Sequence, residues 1–67
     1  MKKIYKIRIV GTSRTSIWYR TRKLEEYEAQ IGIVRGKAVF IVDKLHFVYP
    51  EDCAVVEEYL EKVYERI

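Results

Sequence analysis

Tyr49-Pro50-Glu51-Asp52-Cys53-Ala54-Val55-Val56-Glu57-Glu58-Tyr59-Leu60-Glu61-Lys62-Val63-Tyr64-Glu65-Arg66-Ile67 closes the chain and sets how everything before it must be read. Cys53, Val56, Leu60, Val63 and Ile67 recur at spacings of three and four, the period of one helical face, with Tyr59 and Tyr64 on its shoulders. The pattern predicts an amphipathic helix over residues 50–66. Pro50 suits the first helical position, where its missing N–H costs nothing. Glu51 and Asp52 fall at the positive end of the helix dipole and Arg66 at the negative end. Such a helix is stable only if residues 3–48 offer its stripe an apolar surface. An extended reading of residues 53–56 stays open beside it.

That surface is predicted to be a small sheet. In residues 3–10, Tyr5, Ile7 and Ile9 point one way and Lys6, Arg8 and Val10 the other, the period of a half-buried strand. Gly11-Thr12-Ser13-Arg14-Thr15-Ser16 reads as a polar loop, and the aromatic and β-branched residues of Ile17-Trp18-Tyr19-Arg20 favour a second strand. Tyr27, Ala29, Ile31 and Ile33 alternate with Glu26, Glu28, Gln30 and Gly32, which predicts a third strand with a bulge at Gly32. Arg35-Gly36 supplies a tight turn. The apolar run of residues 37–42 reads as a central strand, Asp43-Lys44 as a turn, and residues 45–48 as a short fifth strand. The expected class is α+β, one domain over residues 1–67, with an antiparallel sheet or barrel of four to five strands followed by the C-terminal helix.

Composition narrows the functional classes. A chain of 67 residues makes one small domain that buries only about 60% of its unfolded surface. Cys53 is alone, so no intrachain disulfide helps, and with the single His46 it cannot assemble a zinc site. The absence of Asn and the abundance of Lys, Glu, Arg, Ile, Val and Tyr match the balance of proteins from heat-loving organisms. No apolar run approaches the roughly 18 residues that span a bilayer, and Met1-Lys2-Lys3 leads straight into an alternating segment, which predicts a cytoplasmic protein without membrane contact. The high aromatic and apolar content of so small a chain points to a homodimer.

Charge is unevenly placed. Residues 1–24 hold eight bases and no acid, whereas residues 25–67 hold five bases and ten acids, so a net +3 conceals segments of +8 and −5. If the first two predicted strands lie side by side, the asymmetry becomes a basic patch of the kind that meets phosphates or an acidic protein. Enzymatic chemistry finds little support. His46 lies among apolar residues, Ser13 and Ser16 lack a G-x-S-x-G elbow, Cys53 falls on the presumed core stripe, and Glu25, Glu26 and Glu28 read as solvated charges. No phosphate-binding glycine loop is present and no cofactor is implied.

Binding remains. In the first reading the partner is DNA or RNA: Lys6, Arg8, Arg14, Arg20, Arg22 and Lys23 neutralise phosphates while Trp18 and Tyr19 supply a stacking platform, one of the pair being free because the two face opposite sides of a strand. In the second, the same basic and aromatic residues contact a protein.

Trp18-Tyr19, Glu26-Tyr27-Glu28-Ala29 and Asp52-Cys53-Ala54-Val55-Val56 together resemble the pattern of small phage and prophage proteins with SH3-like barrels, which show a WY pair, a G-E-x-F-x-V run and a terminal D-C-x-V-V. Leu24 stands where the glycine of that pattern usually sits. The resemblance implies an SH3-like β-barrel that docks on, and inhibits, a host protein. In size, charge and architecture the chain is also similar to the small basic chromatin proteins of hyperthermophilic archaea, a likeness that implies duplex DNA binding.

Overall fold

The computed structural model describes residues 2–61. Its strands are β1 (Lys3–Ile9), β2 (Glu26–Val34), β3 (Lys37–Ile41), β4 (Phe47–Val48) and β5 (Cys53–Leu60), with a single 3₁₀ turn, Pro50–Asp52, between β4 and β5. All pair antiparallel in one open sheet ordered β4-β3-β2-β1-β5. The long β2 joins two ladders. Its first half faces β1, with Ala29 opposite Tyr5 and Glu26 opposite Arg8; its second half faces β3, with Gln30 opposite Ile41 and Val34 opposite Lys37.

The alternation of β1 does what period two requires. Ile7 and Ile9 are fully buried and, with Tyr19, Ala29, Phe40 and Val48, form the core; Lys6 and Arg8 stand on the opposite face. Arg35 and Gly36, with φ of 52° and 78°, close a two-residue hairpin in the left-handed region that matches the twist of β2 and β3. Gly32 is not a bulge, since the β2–β3 register runs unbroken past it. It is small because Ile41 lies over it: a Cβ there would sit 2.8 Å from the Ile41 Cδ1.

The expected C-terminal helix is corrected. Among the described residues there is no α-helix, so the class is all-β, not α+β, and the sheet is open where a barrel was an alternative. Pro50 does begin a helical turn, but the turn is 3₁₀ and lasts three residues. β5 then pairs with β1 from Cys53 opposite Ile9 to Leu60 opposite Lys3, with a register shift between Lys6 and Ile7 that leaves Val56 as an extra residue. The shift explains the misleading spacing. Cys53 and Val55 share the face of Ile9 and Ile7, and after the shift Glu58 and Leu60 share the face of Tyr5 and Lys3, so one bulge breaks period two into a mixture of two and three. The physical reason for a strand is β1 itself. Its buried backbone needs hydrogen-bond partners on the side away from β2, which a packed helix cannot supply. Val56 and Leu60, expected in the core, are exposed, and the remainder of the expected helix, residues 62–66, lies outside the described residues.

The second expected strand is also absent. Residues 17–20 form a turn in the long loop between β1 and β2, where Arg20 N–H donates to Ile17 O at 3.2 Å and Arg22 N–H to Tyr19 O at 3.0 Å. The loop is tied at its base by Leu24 N–H to Ile9 O at 2.7 Å and Ile9 N–H to Glu25 O at 3.0 Å. That pairing holds Leu24 at a φ of 73°, a left-handed conformation that costs a residue with a Cβ about 1–2 kcal/mol.

Three substitutions test this account of stability. Ile7→Ala should cost about 2–5 kcal/mol, whereas Leu60→Ala, at the exposed edge, should stay within about 1 kcal/mol of the parent in urea denaturation. Leu24→Gly should raise stability by about 0.5–1 kcal/mol, the relieved strain exceeding the added chain entropy; an unchanged or lower midpoint in the same titration would show that the left-handed leucine carries no strain.

Candidate ligand-binding cleft

Antiparallel pairing folds the acidic part of the chain onto the basic part. On the outer face of β1, Lys6 lies opposite both Glu28 of β2 and Glu57 of β5, and Arg8 lies opposite Glu26. Lys6 Nζ reaches Glu57 at 3.8 Å, and Arg8 donates from Nε and Nη2 to the Glu26 carboxylate at 2.9 and 2.6 Å. Arg22 pairs with Glu25 at 3.4 Å, and Arg14 with Glu51 at 3.2 Å. Four of the six bases expected to meet phosphates are thus engaged by carboxylates, Lys6 and Arg8 on β1 and Arg14 and Arg22 on the loop that follows it. Of the expected set, only Arg20 and Lys23 stand exposed without a carboxylate partner among the described residues.

Trp18 and Tyr19 are placed differently from the expectation. They do not straddle a strand; both turn toward the protein and meet edge to face with centroids 5.3 Å apart. Tyr19 is fully buried, and its hydroxyl donates to Asp52 Oδ2 at 2.5 Å while accepting from Tyr49 N–H at 3.3 Å. Burial first, and the Asp52 carboxylate second, push the Tyr19 phenol well above its ordinary value. Trp18 is half-buried. Its indole N–H donates to Phe47 O at 2.8 Å, and its ring packs edgewise on Tyr27 and His46.

These anchors build one wall of a cleft of about 600 Å³, lined by Arg14, Thr15, Ser16, Ile17, Trp18, Leu45, Phe47 and Tyr49. The far wall comes from the segment after β3. Asp43 shapes its turn, accepting from Leu45 N–H at 2.8 Å and holding His46 Nδ1 at 2.8 Å, contacts that keep its carboxyl below the ordinary value, the Leu45 amide foremost. Leu45 is left 85% exposed at the cleft margin. Arg14 lies over the Tyr49 ring at 3.8 Å from its centroid while its Nε stands 3.9 Å from Asp52. No carboxylate lines the cleft.

Of the residues named from the sequence as contacts for nucleic acid, Arg14 and Trp18 line this cleft; Leu45, Phe47 and Tyr49 were not among them. The signal was present: these three alternate with His46, which packs on Trp18, and with the buried Val48 in a period of two. Among the described residues no group of three or more His, Cys, Asp and Glu is arranged to hold a metal ion, and no helix is long and apolar enough to cross a membrane. Cys53 is half-buried, with its thiol pushed up to about 11 by burial and by the neighbouring Asp52 charge. No protein-family model matches the chain, no curated protein matches it, and no solved structure matches it.

Tyr19→Phe tests the anchor of the cleft. The variant leaves a buried carboxylate short of a donor and should lose about 1–3 kcal/mol at neutral pH. The raised folded-state value of Tyr19 contributes stability that is fully present below the unfolded value near 10 and is lost as pH rises past it toward the folded value. Denaturation midpoints of the parent should therefore fall above about pH 10 more steeply than those of the variant.

Proposed function

We propose that the protein is a non-enzymatic binding module whose cleft takes an extended segment of another protein. The observation that supports this reading most is the cleft itself: a concave, aromatic and aliphatic surface between the β1–β2 loop and the turn before β4, backed by the buried Tyr19 and by Trp18. Apolar walls with a few fixed polar groups are the usual composition of a recognition groove. The indole of Trp18 spends its polar group on Phe47 O, so the ring serves as a fixed wall instead of a mobile contact.

Nucleic-acid binding is the second reading, and one observation favours it. Lys2, Arg20, Lys23, Arg35, Lys37 and Lys44 have no carboxylate within ion-pair distance among the described residues. Free cations attract phosphates wherever they stand on the surface.

A photo-reactive side chain at the exposed position 45 separates the two. Binding of protein segments predicts crosslinked adducts that survive nuclease and disappear when Ile17→Asp places a charge in the cleft. Adducts that nuclease removes, together with binding to labelled single-stranded DNA whose log affinity falls against log salt by about 0.7 per phosphate, would replace the protein reading with the nucleic-acid one.

A further inference from the structure

Beyond Phe47 and Tyr49 the cleft continues into a second, smaller depression of about 340 Å³, lined by Val34, Arg35, Lys37 and the same two aromatic rings. Phe47 and Tyr49, packed edge to face with centroids 5.3 Å apart, are therefore a ridge with a hollow on either side. Three cations line this track, Arg14 on one side and Arg35 and Lys37 on the other, and no carboxylate lines either hollow. Glu26, Glu28, Glu57 and Glu58 belong to β5 and to the half of β2 that pairs with β1, while Glu51 and Asp52 are engaged with Arg14 and Asp43 with Leu45 and His46, so Arg35 and Lys37 are the cations of the track that no carboxylate engages among the described residues.

Arg35 is the least expected of the three. It holds a φ of 52° in a hairpin turn where Asn, Asp or Gly is the favoured residue, so the turn presents a guanidinium at some conformational cost. Both Arg35 and Lys37 are exposed and without a carboxylate partner among the described residues. Two unpaired cations beside an aromatic ridge ask for a ligand that carries negative charge and apolar groups together.

We infer that the track binds an extended acidic segment of a partner protein, its apolar side chains seated in the hollows on either side of the Phe47–Tyr49 ridge and its carboxylates against Arg35 and Lys37. The inference rests on the binding-module reading and adds the chemistry of the partner. A polypeptide suits the track better than a nucleic-acid strand because stacking needs a free ring face. The Arg14 guanidinium covers Tyr49, and Tyr19, Tyr27 and His46 crowd Trp18, so these rings act as walls. Unpaired cations facing unpaired acids set the direction and rate of docking more than its final affinity.

A display library of random twelve-residue peptides, selected on the immobilised full chain, tests this, with Trp18 fluorescence reporting binding of each selected peptide in solution. The chain has one tryptophan, and it lines the cleft, so the signal is local. Selected sequences should join Asp or Glu to at least two apolar residues. The double variant Arg35→Glu, Lys37→Glu should bind them roughly tenfold more weakly at low salt while retaining the parent's melting temperature. Selection of neutral or basic peptides that Ile17→Asp abolishes and the double variant leaves untouched overturns the acidic assignment and leaves the module standing. Failure to select any peptide overturns both, and tighter binding of oligonucleotide than of every selected peptide, lost in the same double variant, gives the track to nucleic acid instead.

Discussion

The hydrogen bond from the buried Tyr19 hydroxyl to the buried Asp52 carboxylate holds this small protein in register. A carboxylate removed from water is tolerated only with donors around it, and Asp52 has the phenol at 2.5 Å and the Arg14 Nε at 3.9 Å. Its backbone is just as engaged: the carbonyl accepts from Val10 N–H at 2.9 Å and from Gly11 N–H at 3.4 Å, and the amide donates to Tyr49 O at 3.0 Å. One residue thus ties the long loop, the 3₁₀ turn and the start of β5 together. The position of that loop sets where Trp18 stands, and so one wall of the cleft; the exit from the turn sets the line along which β5 meets β1.

Electrostatics obeys the same topology. A chain whose first third is wholly basic folds into a surface of alternating sign, because β1 is flanked on both sides by strands that carry glutamates opposite its lysine and arginine. Each exposed pair contributes little to stability. Their larger effect is to set the glutamates of β2 and β5 against the bases of β1, leaving cations without a carboxylate partner among the described residues at the β2–β3 hairpin and on the long loop. The contrast between those cations and the glutamate-rich ladder is a property of the folded pairing that linear charge counting cannot show.

The strands β1, β2 and β3 and the Arg35-Gly36 turn were legible in the sequence because each rests on local information, either a period of two or a turn that requires positive φ. β5 was not. A single extra residue, Val56, shifted its alternation, and the apolar spacing that resulted imitated a helical stripe. Ile17 to Arg20 has the composition of a strand, yet Tyr19 is drawn to a partner 33 residues away and Trp18 to a carbonyl 29 residues away, and such side-chain anchors override β-propensity. Of the residues that composition singled out, Arg14 and Trp18 line the cleft. The carboxylate partners of the β1 bases lie 18 and 51 residues along the chain, a separation at which only topology decides who meets whom.

The pairing of β1 with β5 also orders events in time. Of the described strands β1 is made first and keeps one edge bare, since Ile7 and Ile9 cannot complete their ladder until β5, the last of them, arrives. The β2–β3 hairpin can close on its own through a two-residue turn, whereas the β1–β5 ladder must close a loop of almost the whole chain, at the entropic cost that makes non-local sheets slow to fold. Among the described strands the β1 edge is therefore the last to be covered in synthesis, and the ladder that covers it is continued by Glu61 N–H to Lys2 O at 2.8 Å.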